Sequence, residues 1–466
     1  MLLASGVKIE HSGKIIPIII DVDAENADTA RTIKGLKLYK DIRAKAIEKD
    51  EENYDVFFGT NLDTLSSQRE NDSERIKDDF QLNVVNLSKT FAEYFKVNEM
   101  DVVDEHFMRL LYDSSQKNDK NCELNLELVK GFKGNPNIGC MIFNELENIP
   151  DFRYFMNAFA DGDRIFIISS IFGGTGSAGF PQLLKILKKK GNNKVSSAIK
   201  GAITIMPYFS IEENGISAID SNLFMSKTKS ALAYYEKEMD GIDSMYYIYD
   251  KPGSKLYKNN EGGSSQQNNA HIVEFIAATS VIDFTNKDNT EFTGNTKYYE
   301  YGIKKDVPGL DIRHFYDKTK NKILKPLASF AYASKTYLDF IPKNLDEAFA
   351  KELNLKNEIQ AKDFYLKLSD FIGNYYFPWL DEMEQNDRSF KPFNLRGDFN
   401  SFMVGKRIET GLIKKGINNN YIKKHIGIIE NKLQGSIVEK EIRFMTMLNE
   451  LSKKYFEQLS DLPTMS

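Results

Sequence analysis

The fold is decided by residues 163–181, which read DRIFIISSIFGGTGSAGFP. An apolar, isoleucine-rich run of this kind predicts a strand buried on both faces of a parallel sheet. The run enters a glycine cluster, and the pattern from Pro181 to Lys190 predicts a helix that ends at Gly191. Ala198 to Met206 is the next buried-strand pattern, so the order strand, helix, strand predicts parallel strands with a right-handed crossover.

The glycine cluster lies where a strand meets a helix, and this position favours an anion. Free backbone N–H groups and the helix dipole both attract negative charge there. Gly173, Gly174 and Gly176 let a phosphate approach the backbone, while Thr175 and Ser177 add hydroxyl donors. The alternative is a tight strand-to-helix turn without a ligand. A dinucleotide fingerprint fits less well, because the glycine spacing differs and the cluster does not open the first βαβ unit.

The rest of the chain divides into two regions. Lys14 to Asp23 (KIIPIIIDVD) predicts a further buried strand that ends in acidic residues, although Pro17 is unusual in a central strand. Beyond about residue 321 the hydrophobic pattern changes, and few strand-like runs remain. Amphipathic patterns of helical length predict helices at 323–341, 346–377 and 421–459.

These patterns predict two domains and an α/β fold class. The first, residues 1–290, would carry a parallel sheet flanked by helices. It would include an insertion at about 48–125, whose acidic first part, Glu48 to Asp79, we expect to be solvated. The second domain, residues 291–466, would be mainly helical.

Composition excludes several classes of protein. The 466 residues are 41% hydrophobic and 28% charged, which is globular and excludes a wholly disordered chain. A net charge of −5 without a dense basic face argues against nucleic acid as a partner. Two cysteines and five dispersed histidines predict neither a disulfide framework nor a structural zinc site. No apolar run reaches the ~20 residues of a membrane span, and no secretory signal is recognisable, so we expect a cytoplasmic protein.

A second glycine-containing segment lies upstream, at residues 134–139 (GNPNIG). Together with Gly173 to Pro181, it resembles the two phosphate-side loops of the tubulin/FtsZ superfamily, although one residue fewer separates its first glycine from the asparagine. The strand before Asp21 and the strand at Ala198 to Met206 resemble the neighbouring strands of that superfamily. The resemblance extends over roughly residues 1–290 and implies a Rossmann-like GTPase domain.

The resemblance implies a site for GTP or GDP with Mg²⁺. Residues 173–177 would hold the α- and β-phosphates. Asp21 or Asp23 would bind Mg²⁺ or its waters, since a hard cation prefers oxygen ligands; the alternative is that both are solvated acids that close a strand. The loop that senses the γ-phosphate would consist of Gly134, Asn135, Pro136 and Gly139.

The resemblance also implies base and ribose contacts. Asn269, before the predicted central helix, would read the guanine edge; its alternative role is a helix N-cap. Glu212 or Glu213 would approach the ribose. His271 is expected to be a surface or core histidine without a catalytic role.

Hydrolysis in this superfamily uses acids that the next subunit supplies. Residues 286–291 (NKDNTE) resemble the loop that carries them, with glutamate in the last place. Asp288 and Glu291 would orient or deprotonate the attacking water across an interface. A hydrophilic turn without a catalytic role is the alternative.

The chain departs from the superfamily in two places. The family's opening strand and its glycine loop are not found before Leu2-Leu3-Ala4. We therefore expect either a start further upstream or a nucleotide site that has lost one loop, with a vacant central position in the sheet. After the central helix, the strand pattern Lys297 to Ile303 is followed by helices, where the family has an α/β domain.

Three functions follow from these observations. The leading prediction is a GTP-binding protein whose hydrolysis is coupled to head-to-tail self-assembly into a homo-oligomer or filament. The alternative is a nucleotide-binding scaffold, or pseudo-GTPase, that acts through a protein partner bound to its C-terminal helices. A dinucleotide-dependent oxidoreductase is the third possibility. It is the least supported, because no Gly-x-Gly-x-x-Gly fingerprint follows a first strand.

Overall fold

The computed structural model describes residues 1–10, 13–23, 25–47, 56–68, 79–83, 88–112, 123–189, 193–212, 223–260, 262–302, 307, 309–406, 408 and 416–459. The strands are β1 (Ile19–Asp21), β2 (Gln81–Asn83), β3 (Ile165–Ser170), β4 (Lys200–Ile205), β5 (Ser210–Ile211), β6 (Ser244–Tyr249), β7 (Leu256–Tyr257) and β8 (Lys297–Gly302).

The helices before β8 lie between or beside these strands. They are α1 (Ala27–Ala46), α2 (Phe91–Tyr94), α3 (Val102–Tyr112), α4 (Pro136–Phe143), α5 (Pro150–Ala158), α6 (Thr175–Lys189), α7 (Asn193–Ser197), α8 (Phe224–Glu238) and α9 (Ile272–Thr285). The C-terminal region adds α10 (Asp317–Thr319), α11 (Lys325–Lys335), α12 (Ala348–Glu352), α13 (Leu355–Glu358), α14 (Asp363–Phe371), α15 (Phe377–Gln385), α16 (Asn419–Leu433) and α17 (Lys440–Leu459).

A four-stranded parallel sheet is the centre of the α/β region. Its strand order is β3-β4-β6-β8, and each neighbouring pair is parallel. Helices α6 and α7 connect β3 to β4, as the order strand, helix, strand predicts. The predicted α/β class, a parallel sheet flanked by helices and followed by a helical C-terminal region, is confirmed. The sheet also includes β8, which lies in the sequence range predicted for the second domain.

Two hydrophobic cores cover the two faces of this sheet. Successive side chains of a strand point to opposite faces, so Ala202 joins one core and Ile203 the other. The core that contains Ile203 also contains α9 and the C-terminal helices. The core that contains Ala202 includes residues of α4, α5, α6 and α8. The C-terminal helices therefore pack on one face of the sheet.

Two further strand pairs are short. β1 pairs in parallel with β2, and β5 with β7. The strand predicted over Lys14 to Asp23 is wrong for its first half, because only Ile19–Asp21 forms a strand and Ile15 makes an isolated bridge to Leu62. Pro17 has no N–H group for a ladder, which explains the late start. Among the described residues, no strand joins β1 to β3.

The C-terminal region is helical as predicted, but two of the three predicted helices are divided into shorter ones. Residues 317–340 form one continuous helix with two π-helical turns, in agreement with the pattern at 323–341. The single helix predicted at 346–377 is wrong, since it breaks at Asn354, whose φ is +58°. The pattern at 421–459 is likewise two helices, α16 and α17, separated by a turn at Gly435. Within the described residues, no helix combines the length and the apolar character that crossing a membrane requires.

The segment predicted to be solvated is partly core. Phe57 and Phe58 are buried, and the ring of Phe58 lies 5.2 Å from that of Tyr39 and 5.3 Å from that of Phe371. The expectation of a solvated segment is therefore wrong for residues 56–65, because they fill the space between α1 and the C-terminal helices.

Candidate functional site

The glycine cluster forms the turn between β3 and α6. A β-carbon on Gly176 would lie 2.8 Å from both the N and the O atom of Ser170, so only glycine lets α6 begin this close to the end of the strand. Within the described part of the chain, the backbone N–H groups of Gly173, Gly174 and Thr175 have no hydrogen-bond acceptor. These donors lie at the N-terminus of a 15-residue helix, where the dipole favours an anion.

The second glycine loop packs directly on the first. A β-carbon on Gly174 would lie 3.1 Å from the backbone N atoms of both Gly134 and Asn135. One turn further on, a β-carbon on Gly139 would lie 2.6 Å from the Cβ of Ala178. Pro136 begins α4, where a missing N–H group costs nothing. The structure thus brings together the two segments that the sequence singled out, and their glycines permit the contact.

Two polar side chains of these loops point into the protein. The Ser177 hydroxyl donates to the carbonyl oxygen of Gly173, and the Asn135 amide donates to the Glu123 carboxylate at 2.6 Å. In this arrangement both side chains hold the loops in shape. Contact of Ser177 or Asn135 with a phosphate stays a prediction.

A lysine that the sequence analysis did not identify lies beside both loops. The Nζ atom of Lys227 donates to the carbonyl oxygen of Gly134 at 2.7 Å. Its helix, α8, is anchored there because the ring of Phe224 lies 4.9 Å from that of Phe172, the residue before the glycine cluster. Nothing in the sequence distinguishes Lys227 from its neighbour Lys229, which is exposed. The tertiary contact alone identifies it as a positive charge on the Gly134 loop, which packs on Gly174.

The two predicted metal ligands have different environments. Asp23 is buried, and its carboxylate accepts hydrogen bonds from the backbone N–H groups of Glu25 and Gly263, the latter at 2.6 Å. Asp21 is only half-buried; it accepts from the N–H group of Asp23 and from the hydroxyl of Thr29, and burial raises its pKa. Asp23 thus has an ordering role in its loop, and the carboxylate of Asp21 holds Asp23 and Thr29 in place.

Within the described residues, no three histidine, cysteine, aspartate or glutamate side chains group as a metal site. A site for Mg²⁺ at Asp21 or Asp23 stays a prediction.

Helix α9 begins at a buried histidine, not at the predicted asparagine. The Nδ1 atom of His271 accepts from the N–H group of Val273, and the Glu274 carboxylate accepts from the N–H group of His271, which completes a capping box. The N-cap role considered for Asn269 is therefore wrong, and its side chain is exposed. Burial lowers the pKa of His271 to about 4, so the imidazole is neutral and can accept this bond.

Glu274, the other member of this capping box, accepts from the backbone with its carboxylate. Its side chain reaches solvent, yet protein atoms surround the carboxyl group, and this desolvation raises its pKa to about 7. Two residues were predicted to contact the ribose. The backbone N–H group of Glu212 donates to the carbonyl oxygen of Tyr257 at 2.8 Å, and Glu213 lies outside the described residues.

The two predicted catalytic acids lie at the opposite end of α9. Asp288 and Glu291 are exposed and form a capping box around a short 3₁₀ turn, in which Asp288 accepts from the N–H group of Thr290 and Glu291 from that of Asp288. Arg164, the residue before β3, donates to the Asn289 side chain at 2.6 Å. The acids therefore lie at the amino edge of the sheet, whereas the glycine loops lie at its carboxyl edge.

A shallow depression in the C-terminal region shares no residue with these loops. It is open to solvent and lined by Lys391, Asn394, Ser401, Met403, Val404, Gly405 and Lys406. We assign it no ligand.

No protein-family model, curated protein or solved structure matches this chain. Its class is therefore defined by fold and site alone: an α/β protein with a four-stranded parallel sheet, a helical C-terminal region, and two glycine loops in contact beside the end of β3.

Proposed function

We propose that this chain is a tubulin/FtsZ-like GTP-binding protein with a Rossmann-like domain, and that it hydrolyses GTP when copies associate head to tail. The observation that carries the proposal is the contact between the two glycine loops, which places the free amides of Gly173, Gly174 and Thr175 beside the Gly134 loop and Lys227. Free amides at a helix N-terminus next to a positive charge are suited to phosphate groups. Bound Mg²⁺ would neutralise phosphate charge, and Asp21 would hold its waters.

The position of the two acids supports a requirement for a second copy. At the start of α9, His271 lies 4.7 Å from the ring of Tyr208, which follows the carboxyl end of β4. At its end, the carbonyl oxygens of Phe284 and Thr285 accept from Arg164 at the amino edge. A helix of 14 residues spans about 21 Å, so Asp288 and Glu291 cannot reach a nucleotide on their own glycine loops. A neighbouring copy stacked head to tail would bring them to it, and a contact of this kind builds filaments.

Nucleotide binding is the direct test of the proposal. We expect purified protein to bind GTP and GDP in the presence of Mg²⁺ and to release phosphate from GTP with a rate per molecule that rises with protein concentration. Calorimetric titration and a phosphate-release assay measure the two properties. If the protein bound neither GTP nor GDP, the proposal would be contradicted.

Lys227→Met is expected to weaken GTP binding about tenfold and to leave the binding of guanosine unchanged. A hydrogen bond to a charged group contributes roughly 1.5–3 kcal/mol, and 1.4 kcal/mol is a tenfold change in affinity. Lys229→Met on the same helix is the matched control, because Lys229 is exposed. Equal losses in the two variants would show that Lys227 acts only through the general charge of the surface.

The double variant Asp288→Asn, Glu291→Gln is expected to bind GTP normally and to lose at least about 100-fold in turnover, by the general magnitude of acid–base catalysis. Asparagine and glutamine keep the capping box, so the 3₁₀ turn stays folded. The same variant mixed with a copy that cannot bind GTP tests catalysis between subunits. The binding-deficient copy supplies intact acids, so turnover should return in the mixture. A mixture as inactive as its two components would contradict catalysis in trans.

A scaffold that binds GTP without turnover is the second candidate. The observation that favours it is that both side chains are engaged in the capping box, where Asp288 accepts from the N–H group of Thr290 and Glu291 from that of Asp288. Under this alternative, GTP binds, phosphate release is absent at every protein concentration, and light scattering does not rise on addition of GTP.

A further inference from the structure

The backbone on both sides of Asn269 is held by side chains from two distant helices. The N–H and amide groups of Asn268 donate to the Asp28 carboxylate of α1 at 2.8–3.1 Å. The carbonyl oxygen of Asn268 accepts from Arg31, also of α1, at 2.9 Å. The Asn269 side chain itself is exposed.

The next residue is held by the C-terminal region. The N–H group of Ala270 donates to Glu382 of α15 at 2.8 Å, and its carbonyl oxygen accepts from the amide of Asn386, just beyond the end of α15. Asn386 is itself fixed, because its oxygen accepts from the Tyr257 hydroxyl at 2.8 Å. Both neighbours of Asn269 thus have their main-chain polar groups fixed by side chains.

Glu382 connects these two sets of contacts. One of its oxygens pairs with Arg31 at 2.9 Å and the other accepts from Ala270. The side chain of Glu382 is 19% exposed and that of Arg31 is 45% exposed, so solvent screens the bond to Ala270 less than it screens the ion pair. Glu382 therefore links the helical region both to α1 and to the start of α9, beside the direct contacts of Asp28 and Arg31 with Asn268.

We propose that Glu382 is a positioning residue for base recognition, which holds Asn269 in the geometry that reads the edge of a purine base. This inference rests on the proposed function, since it presupposes a nucleotide at the glycine loops. A recognition side chain on a backbone that is already ordered loses less entropy on binding and discriminates more sharply. The helical C-terminal region, which carries no part of the phosphate site, would thereby determine which base is accepted.

Glu382→Gln tests the proposal, with Glu384→Gln on the same helix as the control. Glutamine keeps the size of the side chain but replaces one acceptor oxygen with a donor, so it cannot satisfy both Arg31 and Ala270. Glu384 pairs instead with Lys391 on the surface. Affinities for GTP and ATP are measured by competition against a fluorescent GTP analogue. The preference for GTP over ATP should fall about tenfold in Glu382→Gln and remain unchanged in Glu384→Gln.

The comparison with Asn269→Ala separates this inference from the proposed function. If both Asn269→Ala and Glu382→Gln lose the preference for GTP, the positioning role is supported. If only Asn269→Ala loses it, or if Glu382→Gln weakens GTP and ATP equally, the positioning role is overturned while GTP binding stands. If wild-type protein binds neither nucleotide, the proposed function fails together with this inference. If Glu382→Gln folds poorly, Arg31→Gln should also lower the preference for GTP, because it removes the other partner of Glu382 together with the bond of Arg31 to the Asn268 carbonyl.

Discussion

Gly174→Ala is expected to weaken GTP binding by about 10- to 100-fold while the protein remains folded. The added Cβ would lie 2.9 Å from the Cβ of Phe132 and 3.1 Å from the N atoms of Gly134 and Asn135. These are main-chain atoms or atoms next to the main chain, so they cannot yield by a rotamer change, and the two glycine loops must separate. Overpacking of this kind costs roughly 1–3 kcal/mol, which is less than the stability of most domains but enough to displace phosphate-binding amides.

Calorimetric titration with GTP measures this loss, and circular dichroism checks the fold. Gly427→Ala is the matched control, because Gly427 lies inside α16 with no atom within 4 Å of its added Cβ. The control should bind GTP like the wild type and gain up to about 1 kcal/mol in stability, since alanine is the better helix former. Wild-type affinity in Gly174→Ala would show that the contact between the loops does not shape the site.

Asp250→Asn is expected to lower the free energy of unfolding by about 3–5 kcal/mol. Asp250, directly after β6, and Arg388, in the turn after α15, form a bidentate ion pair with N–O distances of 2.9 and 3.0 Å. Their side chains are 2% and 11% exposed. Asparagine removes the negative charge from this buried pair, and removing one partner of such a pair costs more than the pair itself contributes.

Urea unfolding followed by fluorescence and by circular dichroism measures this change. Asp381→Asn is the control, because Asp381 lies 3.5 Å from Arg396, whose side chain is 88% exposed, and such pairs contribute roughly 0–1 kcal/mol. Equal effects of the two substitutions would contradict the assignment of Asp250 and Arg388 as a structural link. A single transition in both signals would further indicate that the C-terminal helices unfold together with the sheet.

Several elements could be predicted because their signal is local. Isoleucine-rich runs identified β3 and β4, and the glycine cluster marked the turn into α6, although α6 begins at Thr175 and not at the predicted Pro181. The same signal does not predict β6, since its sequence SMYYIY is aromatic and not aliphatic. β5 and β7 have two residues each, which is too short for any periodicity to be recognised.

The candidate site divides in the same way. Gly174 could be selected from the sequence because it lies in a dense glycine run, and Gly134 because its segment resembles the second phosphate-side loop of the tubulin/FtsZ superfamily. Lys227 and Glu382 could not, because a lysine or a glutamate on an amphipathic helix is usually a solvated residue, and nothing in their neighbours in sequence sets them apart. The N-cap of α9 was placed at the wrong residue for a related reason: a buried neutral histidine caps the helix, although histidine is uncommon in that role.

Local pattern was thus enough to establish a parallel α/β sheet, a helical C-terminal region and a glycine turn suited to an anion, because periodicity and glycine content act over a few residues. Which distant segments meet was settled only by the three-dimensional packing. Three features depend on such contacts: the pairing of the two glycine loops, the separation of Asp288 from these loops along α9, and the hydrogen bond between Glu382 and Ala270. Glu382 and Ala270, for example, are 112 positions apart in the sequence. Such contacts arise from the burial of whole faces of helices and strands, and no short stretch of sequence encodes them.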